Sequence, residues 1–264
     1  MSEALNTAYN AIDSHYADEP AQTRRKFVGG AAATLGGMGL LGLAGDKAWA
    51  QAATQNKPQD ILNIAATAEV LATIVNTVGP EKVQKARRKR DRLDKVTLGN
   101  VRAAARQELI HYNALTGLGA APLTKRIWVP DAVFANRKGL LTALEGGDQV
   151  FINAYLIGTT VFANAGAAAD GQLARYTGEF MGVEAVHRAL ARQSLGKLGN
   201  DRAFMRFDFV KIADAVTALQ KGGFGFGQKG SKKGKFYDFD TVRRRTPNPG
   251  RVNTRGVDKQ TVPA

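Results

Sequence analysis

The sequence contains no cysteine, and histidine occurs only three times in 264 residues. Without cysteine the chain cannot form a disulfide, use a thiolate as a nucleophile, or hold an iron–sulfur cluster or a cysteine-ligated zinc ion. A cysteine-free chain is compatible with either an oxidising or a reducing compartment. The absence therefore limits the chemistry of the chain and leaves its location open.

Acidic residues are scarce relative to basic ones, since 23 Asp and Glu stand against 37 Lys and Arg, for a formal net charge of +14. The basic residues cluster in "KVQKARRKRDRLDK" at 82–95 and in "GQKGSKKGK" and "RRRTPNPGRVNTR" near the C-terminus. We expect a solvated helix end and a basic, disordered tail. The alternative is a surface that binds an anionic partner.

The N-terminal segment has the features of an export signal. Arg24 and Arg25 precede a weakly apolar, glycine-rich run, and Ala48-Trp49-Ala50 has the small-x-small pattern of a cleavage site. Residues 23–27, "TRRKF", resemble a twin-arginine signal, which implies periplasmic or other export of a folded protein, often with its cofactor inserted. A short membrane anchor is the alternative. We expect residues 1–50 to be removed, and anionic envelope polymers or lipids, rather than nucleic acid, to be the partners of the basic segments.

Apolar residues recur at helical spacing in four long segments of the remaining chain. We predict helices at 60–78, from the basic segment to Gly117 or Gly119, at 140–165 and at 172–195, with Gly79-Pro80 ending the first and Asp170 capping the fourth. Short connections within each pair and a long connection at 121–138 are typical of a four-helix bundle with one crossover. The predicted fold class is therefore all-α, with the bundle at 51–200.

The C-terminal extension, 201–264, loses this regularity. A further helix is predicted at about 211–220, and from Gly222 onward the Gly, Lys, Arg and Pro content predicts an irregular basic tail. The glycines of "GGFGFGQKGSKKG" lack the preceding strand and the spacing of a phosphate-binding loop.

Both histidines that follow residue 50 have a glutamate three positions before them. The pairs are Glu108 with His111 in "ELIH" and Glu184 with His187 in "EAVH". Residues three apart share a helix face, so each pair can reach one point beside its helix. Because only six glutamates follow Ala50, two such pairs are improbable by chance. On the second and fourth helices of a bundle, they match the way bundle cores ligate two metal ions.

Such a site needs one inward carboxylate from each of the other two helices. The first helix has a single interior acid, Glu69, in an apolar surrounding where an unpaired carboxylate would be costly. The third helix has no acid in its central part, and Asp148 and Glu145 near its start are the candidates. The predicted ligands are Glu69, Glu108, His111, Glu184 and His187, with Asp148 as the sixth if the site is dinuclear.

These segments resemble an exported bacterial family of ferritin-like domains, known as ferritin-like domain two. The resemblance lies in "ILNIAATAEVL" at 61–71, in "ELIH" and "EAVH", and in "DQVFINAYLIG", where Asp148 stands seven residues before Tyr155. The family usually has Glu at that position. The resemblance covers about 60–195 and implies a ferritin-like bundle that binds metal. Carboxylate-rich ligation with two imidazoles suits iron or manganese, which could react with dioxygen or peroxide.

The alternative function is a non-catalytic envelope or stress-protection protein with the same scaffold and an anion-binding tail. Tyr112 and Tyr155 are expected to be core residues. Glu179 and Arg188 are expected at the surface, with orientation of the metal ligands as the alternative role.

Overall fold

A computed structural model describes residues 55–205, 207–249 and 252, and the predicted export signal at 1–50 lies outside them. The described chain is mostly helical with one small sheet. Its α-helices are α1 (Pro58–Val83), α2 (Lys95–Gly117), α3 (Arg137–Ala165), α4 (Ala168–Ser194), α5 (Ala213–Lys221) and α6 (Phe239–Arg243), and its strands are β1 (Arg126–Pro130), β2 (Gly225–Phe226) and β3 (Gly234–Asp238).

The four long helices begin and end where local chemistry favours it. Asp94 caps α2 by accepting a hydrogen bond from the Thr97 amide at 2.9 Å, and Asn136 caps α3 in the same way. Gly166 follows α3 with a φ of 83°, a left-handed conformation that glycine adopts without strain. It allows the chain to turn directly into α4.

Two predicted helix ends are wrong. Gly79 and Pro80 do not end α1, which continues to Val83, and Asp170 lies in the first turn of α4, whose N-cap is Ala167. Pro80 lies in the last turn of α1, where its missing N–H removes only one backbone hydrogen bond from the helix. The aspartate still favours helix formation, because its negative charge faces the positive end of the helix dipole.

The long helices pack in pairs, α1 with α2 and α3 with α4, and the pairs meet where α1 contacts α3 and where α2 contacts α4. Close approach of α3 and α4 requires Gly158, because a Cβ there would lie 2.9 Å from Thr177 Cγ2. Among the described helices, α1 is long and apolar enough to span a membrane, yet 89% of its most apolar window is buried inside the protein. That burial is typical of a core helix.

The prediction of an irregular tail from Gly222 is wrong for residues 222–246. β2 and β3 flank β1 in an antiparallel sheet of order β2-β1-β3, with Ile127 paired to Tyr237 and Trp128 to Phe236. α6 then buries Phe239 and Val242 against the helices. Glycine and lysine dominate this segment by number, but its few aromatic residues supply the buried surface that orders it.

The basic segment at 82–95 contains the end of α1, a connection with a short 3₁₀ helix at Lys89–Asp91, and the first residue of α2, Lys95. The prediction that α2 starts in this segment is confirmed, but only at its last residue. The crossover between α2 and α3 contains β1 and a second 3₁₀ helix, Asp131–Phe134.

Candidate metal centre

On each long helix, the polar residues of the site belong to a stripe of buried residues along one face. Inward positions recur at alternating spacings of three and four, which keeps them on one helix face. The stripes are Thr97, Val101, Ala104, Glu108, His111 and Leu115 on α2, Leu141, Leu144, Asp148, Phe151 and Tyr155 on α3, and Thr177, Phe180, Glu184, His187 and Ala191 on α4. Glu69 of α1 is surrounded by apolar residues that are themselves buried.

Six residues meet where these stripes face one another. They form two groups that share two glutamates: Glu69, Glu108, His111 and Glu184 in one, and Glu108, Asp148, Glu184 and His187 in the other. Within each group one potential ligand atom from every residue lies within 4.8 Å of the others, and all six residues are buried. Such clusters of buried carboxylates and imidazoles could hold a metal ion.

The two histidines point the same ring nitrogen at the carboxylates. His111 Nδ1 lies 3.6 Å from Glu69 Oε1, 3.7 Å from Glu108 Oε2 and 3.6 Å from Glu184 Oε1. His187 Nδ1 lies 3.1 Å from Glu108 Oε1 and 3.6 Å from Glu184 Oε2. Each shared glutamate therefore turns one oxygen towards each histidine, the arrangement of a carboxylate that bridges two ions.

Eight ligand-type atoms of the cluster are buried without a hydrogen-bond partner among the described residues. They are Glu69 Oε2, both carboxylate oxygens of Glu108 and of Glu184, Asp148 Oδ2, and Nδ1 of His111 and of His187. Buried polar groups in folded proteins are nearly always hydrogen-bonded, and each unsatisfied one costs about 1 to 3 kcal/mol. Their concentration at one point indicates that the protein fold alone does not satisfy this cluster.

The electrostatics of the cluster point the same way. Burial, together with the nearby Glu108 carboxylate, raises the pKa of Glu69 from 4.5 to about 8. Burial and then the charge of Glu184 raise the pKa of Asp148 well above its usual value. These carboxylates crowd one another in a medium that disfavours negative charge.

The environment favours the protonated, positively charged form of both histidines. Burial alone would lower the pKa of His111, but the carboxylates around it outweigh burial and raise that pKa well above 6.5. The same balance, with Glu108 as the main carboxylate, raises the pKa of His187. The cluster thus attracts positive charge, whether that charge comes as protons or as metal ions.

Three further side chains surround the cluster. The Tyr155 hydroxyl donates a hydrogen bond to Glu69 Oε1, and the Phe180 ring stacks on His111 with ring centroids 4.3 Å apart. Gln107 Oε1 lies 2.8 Å from His187 Nε2. A proton on Nε2 donated to Gln107 leaves Nδ1 as a free lone pair facing the carboxylates, which is the tautomer that a metal requires.

The other candidates from the sequence lie elsewhere. Glu145, the alternative to Asp148, pairs with Arg192 at 2.5 Å and with Lys197 at 2.6 Å outside the cluster. Glu179 forms a half-exposed ion pair with Arg175. Tyr112 is a core residue whose ring packs on Phe239.

Arg188 contradicts its expected surface position. Only 4% of the residue is exposed, and its guanidinium makes two hydrogen bonds, of 2.8 and 3.1 Å, to Asp201. The pairing ties α4 to the segment that follows it. Sequence spacing gave no sign of the partner, because Asp201 lies beyond the end of the helical pattern.

Sequence reasoning missed Gln107 and undervalued Tyr155. Gln107 adjoins Glu108, so its side chain leaves the helix about 100° away from the cluster stripe, and it has no motif of its own. Tyr155 is buried as expected. It lies two helical turns after Asp148 on the same face of α3, and this position also brings its hydroxyl to Glu69. Comparison with family models, curated proteins and solved structures found no match to this chain.

Proposed function

We propose that the chain is a ferritin-like four-helix bundle that binds two transition-metal ions, iron or manganese, between α1, α2, α3 and α4. The observation that supports this most strongly is the convergence of eight unsatisfied ligand atoms from all four helices. A carboxylate from each of two helices and a Glu-x-x-His pair from each of the other two is the ligand set of the ferritin-like dinuclear proteins.

In this proposal the two groups of residues correspond to two metal positions. We name position A the one formed by Glu69 and His111, and position B the one formed by Asp148 and His187. Glu108 and Glu184 belong to both positions and bridge them. Tyr155 holds Glu69 in its orientation for position A, and Gln107 holds the ring of His187 for position B.

Iron and manganese fit the donor set better than the common alternatives. Magnesium and calcium sites use oxygen ligands without imidazole, and structural zinc sites are usually closed tetrahedra rich in cysteine. Carboxylate-rich ligation with one imidazole per ion suits iron and manganese, which supply redox chemistry towards dioxygen or peroxide when bound. The protein contributes a dry core in which the bridging glutamates neutralise the ions.

The proposal also includes export of the folded protein from the cytoplasm. The twin-arginine resemblance at 23–27 implies that the bundle folds, and takes up its metal, before it crosses the membrane. N-terminal sequencing of the protein recovered from the periplasm tests this, with a mature start at Gln51 as the expected result. An unprocessed chain in the cytoplasm would contradict it.

Metal analysis of the protein produced with its native export segment tests the central claim. We expect about two ions per chain, as iron or manganese. The double variant Glu108→Ala with His187→Ala removes a bridge and a terminal ligand, so it should lose both ions. If both metals are substoichiometric in the unaltered protein, and the double variant has unchanged thermal stability, the proposal fails.

A second function is favoured by the surface around the small sheet. Four lysines, Lys229, Lys232, Lys233 and Lys235, are exposed on and beside the connection between β2 and β3. Trp128 of β1 lies among them, with Lys229 Nζ 6.0 Å from its ring centroid. An ordered, basic and partly aromatic surface supports the alternative of an anion-binding envelope protein.

Cosedimentation with vesicles of acidic lipid tests this second function. Binding should weaken steeply between low and high salt, and neutralising the four lysines should abolish it. The double variant in the metal cluster serves as the matched control, because it leaves this surface unchanged. Binding that ignores salt or survives neutralisation would exclude the surface as the anion site.

A further inference from the structure

Two small cavities reach the proposed metal centre, and both are bordered by Asp148. The first is bordered by His187 and Asp148 and extends along α2 and α4 to half-exposed residues such as Asn100 and Ser194. The second lies between α1, α3 and Phe224, and it too is bordered by Asp148. Glu69 and His111, which define position A, border neither of them.

The size of these cavities limits what they can hold. The centre of a water-sized sphere can occupy about 30 Å³ in the first and about 20 Å³ in the second. One water needs roughly 10 to 15 Å³ by the same measure, so each cavity has room for one or two very small molecules. An organic metabolite would not fit without movement of the helices.

Their lining limits the charge of the occupant. Half of the residues that border the first cavity and most of those that border the second are apolar, Leu144 borders both, and neither cavity is bordered by lysine or arginine. Asn76, buried on α1, also borders both. An anion would lose its hydration without gaining a cation until it reached a metal ion, whereas an uncharged diatomic or triatomic molecule loses little.

Position B is also the less completely enclosed half of the centre. Aspartate is one methylene shorter than glutamate, so Asp148 extends less far from its helix into the cluster than Glu69 does in position A. Asp148 and His187 are 3% and 8% exposed, against 0% and 5% for Glu69 and His111. Position A is instead covered by the Phe180 ring on His111 and by the Tyr155 hydroxyl on Glu69.

We propose that position B, and not position A, is the metal position open to external ligands, and that it receives uncharged molecules of two or three heavy atoms through the cavity beside Leu144. This inference rests on the proposed dinuclear function. It adds to that function the metal position that binds the external molecule, the cavity through which the molecule arrives, and the class of molecule that can reach the site.

Nitric oxide is a suitable probe, because it is uncharged, diatomic and gives a spectroscopic signal when it binds iron(II). The protein is loaded with iron(II) without oxygen, its iron content is measured first, and nitric oxide is then titrated. We expect one molecule to bind per two irons before any second event. Equal binding at both irons would overturn the proposal.

Two variants test the route and the position. Leu144→Phe fills the space shared by the cavities and should slow nitric oxide association about tenfold with both irons retained, which corresponds to about 1.4 kcal/mol in the barrier. Asp148→Glu supplies the longer side chain and should weaken nitric oxide affinity about tenfold, again with both irons retained. Leu156→Phe is the matched control, since Leu156 is on the same helix but borders neither cavity.

The outcomes separate the two claims. If the unaltered protein takes up neither iron nor manganese, the dinuclear function fails and this inference falls with it. If iron is bound but neither Leu144→Phe nor Asp148→Glu changes nitric oxide binding relative to Leu156→Phe, the function stands and the inference is wrong. Should Leu144→Phe fail to load iron, Ala104→Val narrows the first cavity from α2 and replaces it.

Discussion

Replacing Glu108 by leucine should change the free energy of unfolding in opposite directions with and without metal. Glu108 is completely buried, and neither of its carboxylate oxygens has a hydrogen-bond partner among the described residues. Relief of two such atoms at about 1 to 3 kcal/mol each, reduced by imperfect packing of the leucine, predicts that the metal-free variant gains roughly 2 to 4 kcal/mol. In a domain of this size the melting temperature would rise by roughly 4 to 16 °C.

The metal-loaded comparison should have the reverse sign. An ion present at a thousand times its dissociation constant stabilises the native protein by about 4 kcal/mol, and the unaltered chain would gain this from each ion while the variant gains little. Differential scanning calorimetry, with chelator and with added metal, measures both effects. Glu145→Leu is the matched control, because Glu145 pairs with Arg192 and Lys197 and its loss should leave metal stabilisation intact.

The rival explanation predicts a different result. If Glu108 and His187, 3.1 Å apart, form a structural ion pair, the substitution leaves a buried histidine unpaired and costs about 3 to 5 kcal/mol without metal. A metal-free variant that is less stable than the unaltered chain, together with no metal stabilisation of the latter, would refute the reasoning.

Three further predictions address the rest of the molecule. Lowering the pH from 7 to about 5 should release the bound metal, because protons compete for carboxylates and imidazoles; metal retained after dialysis at each pH measures it. Asn153→Ala removes the side chain that bonds the backbone of residues 208 and 209, so it should cost about 1 to 3 kcal/mol and lower hydrogen-exchange protection there. Hydrogen bonding to Arg188 lowers the pKa of Asp201 from 3.8 to about 2, so its stabilising effect is present above pH 3.8 and is lost as the pH falls towards 2. The free energy of unfolding of Asp201→Asn, measured by denaturation, should therefore be lower than that of the unaltered chain at pH 6 and equal to it near pH 2. Equal free energies at pH 6 would contradict this.

Helical periodicity predicted the long helices because their buried stripes are written at regular spacing over six or more turns. It failed at their ends, where a single residue competes with tertiary packing. Pro80 was expected to stop α1, but one lost hydrogen bond is outweighed by the burial of Val83. The sheet was not predicted because β2 has only two residues and because the β3 residues lie more than 100 positions along the chain from the β1 residues with which they pair.

The candidate site was predictable where it depends on spacing within one helix. Glu108 with His111 and Glu184 with His187 are local patterns, and Glu69 stands out as the acid of an apolar helix. Asp148 could be chosen over Glu145 only by resemblance, since both lie near the start of α3 and differ by three positions. The distance of Gln107 from His187 depends on how α2 and α4 face each other, which no local pattern encodes.

Two polar clusters involving α4 differ in how their charges are balanced. Near the end of the helix, Glu145 and Asp201 meet Arg188, Arg192 and Lys197, and every carboxylate oxygen accepts a hydrogen bond from one of these cations. Towards the middle of the helix, beginning with His187 next to Arg188, four carboxylates converge on two imidazoles, and no arginine or lysine pairs with them in the described chain. The same fold thus supplies cations where a structural network is needed and withholds them where the carboxylates are most deeply buried. Protons on the two imidazoles could also neutralise the second cluster; we propose two bridged ions instead because each shared glutamate turns one oxygen towards each histidine.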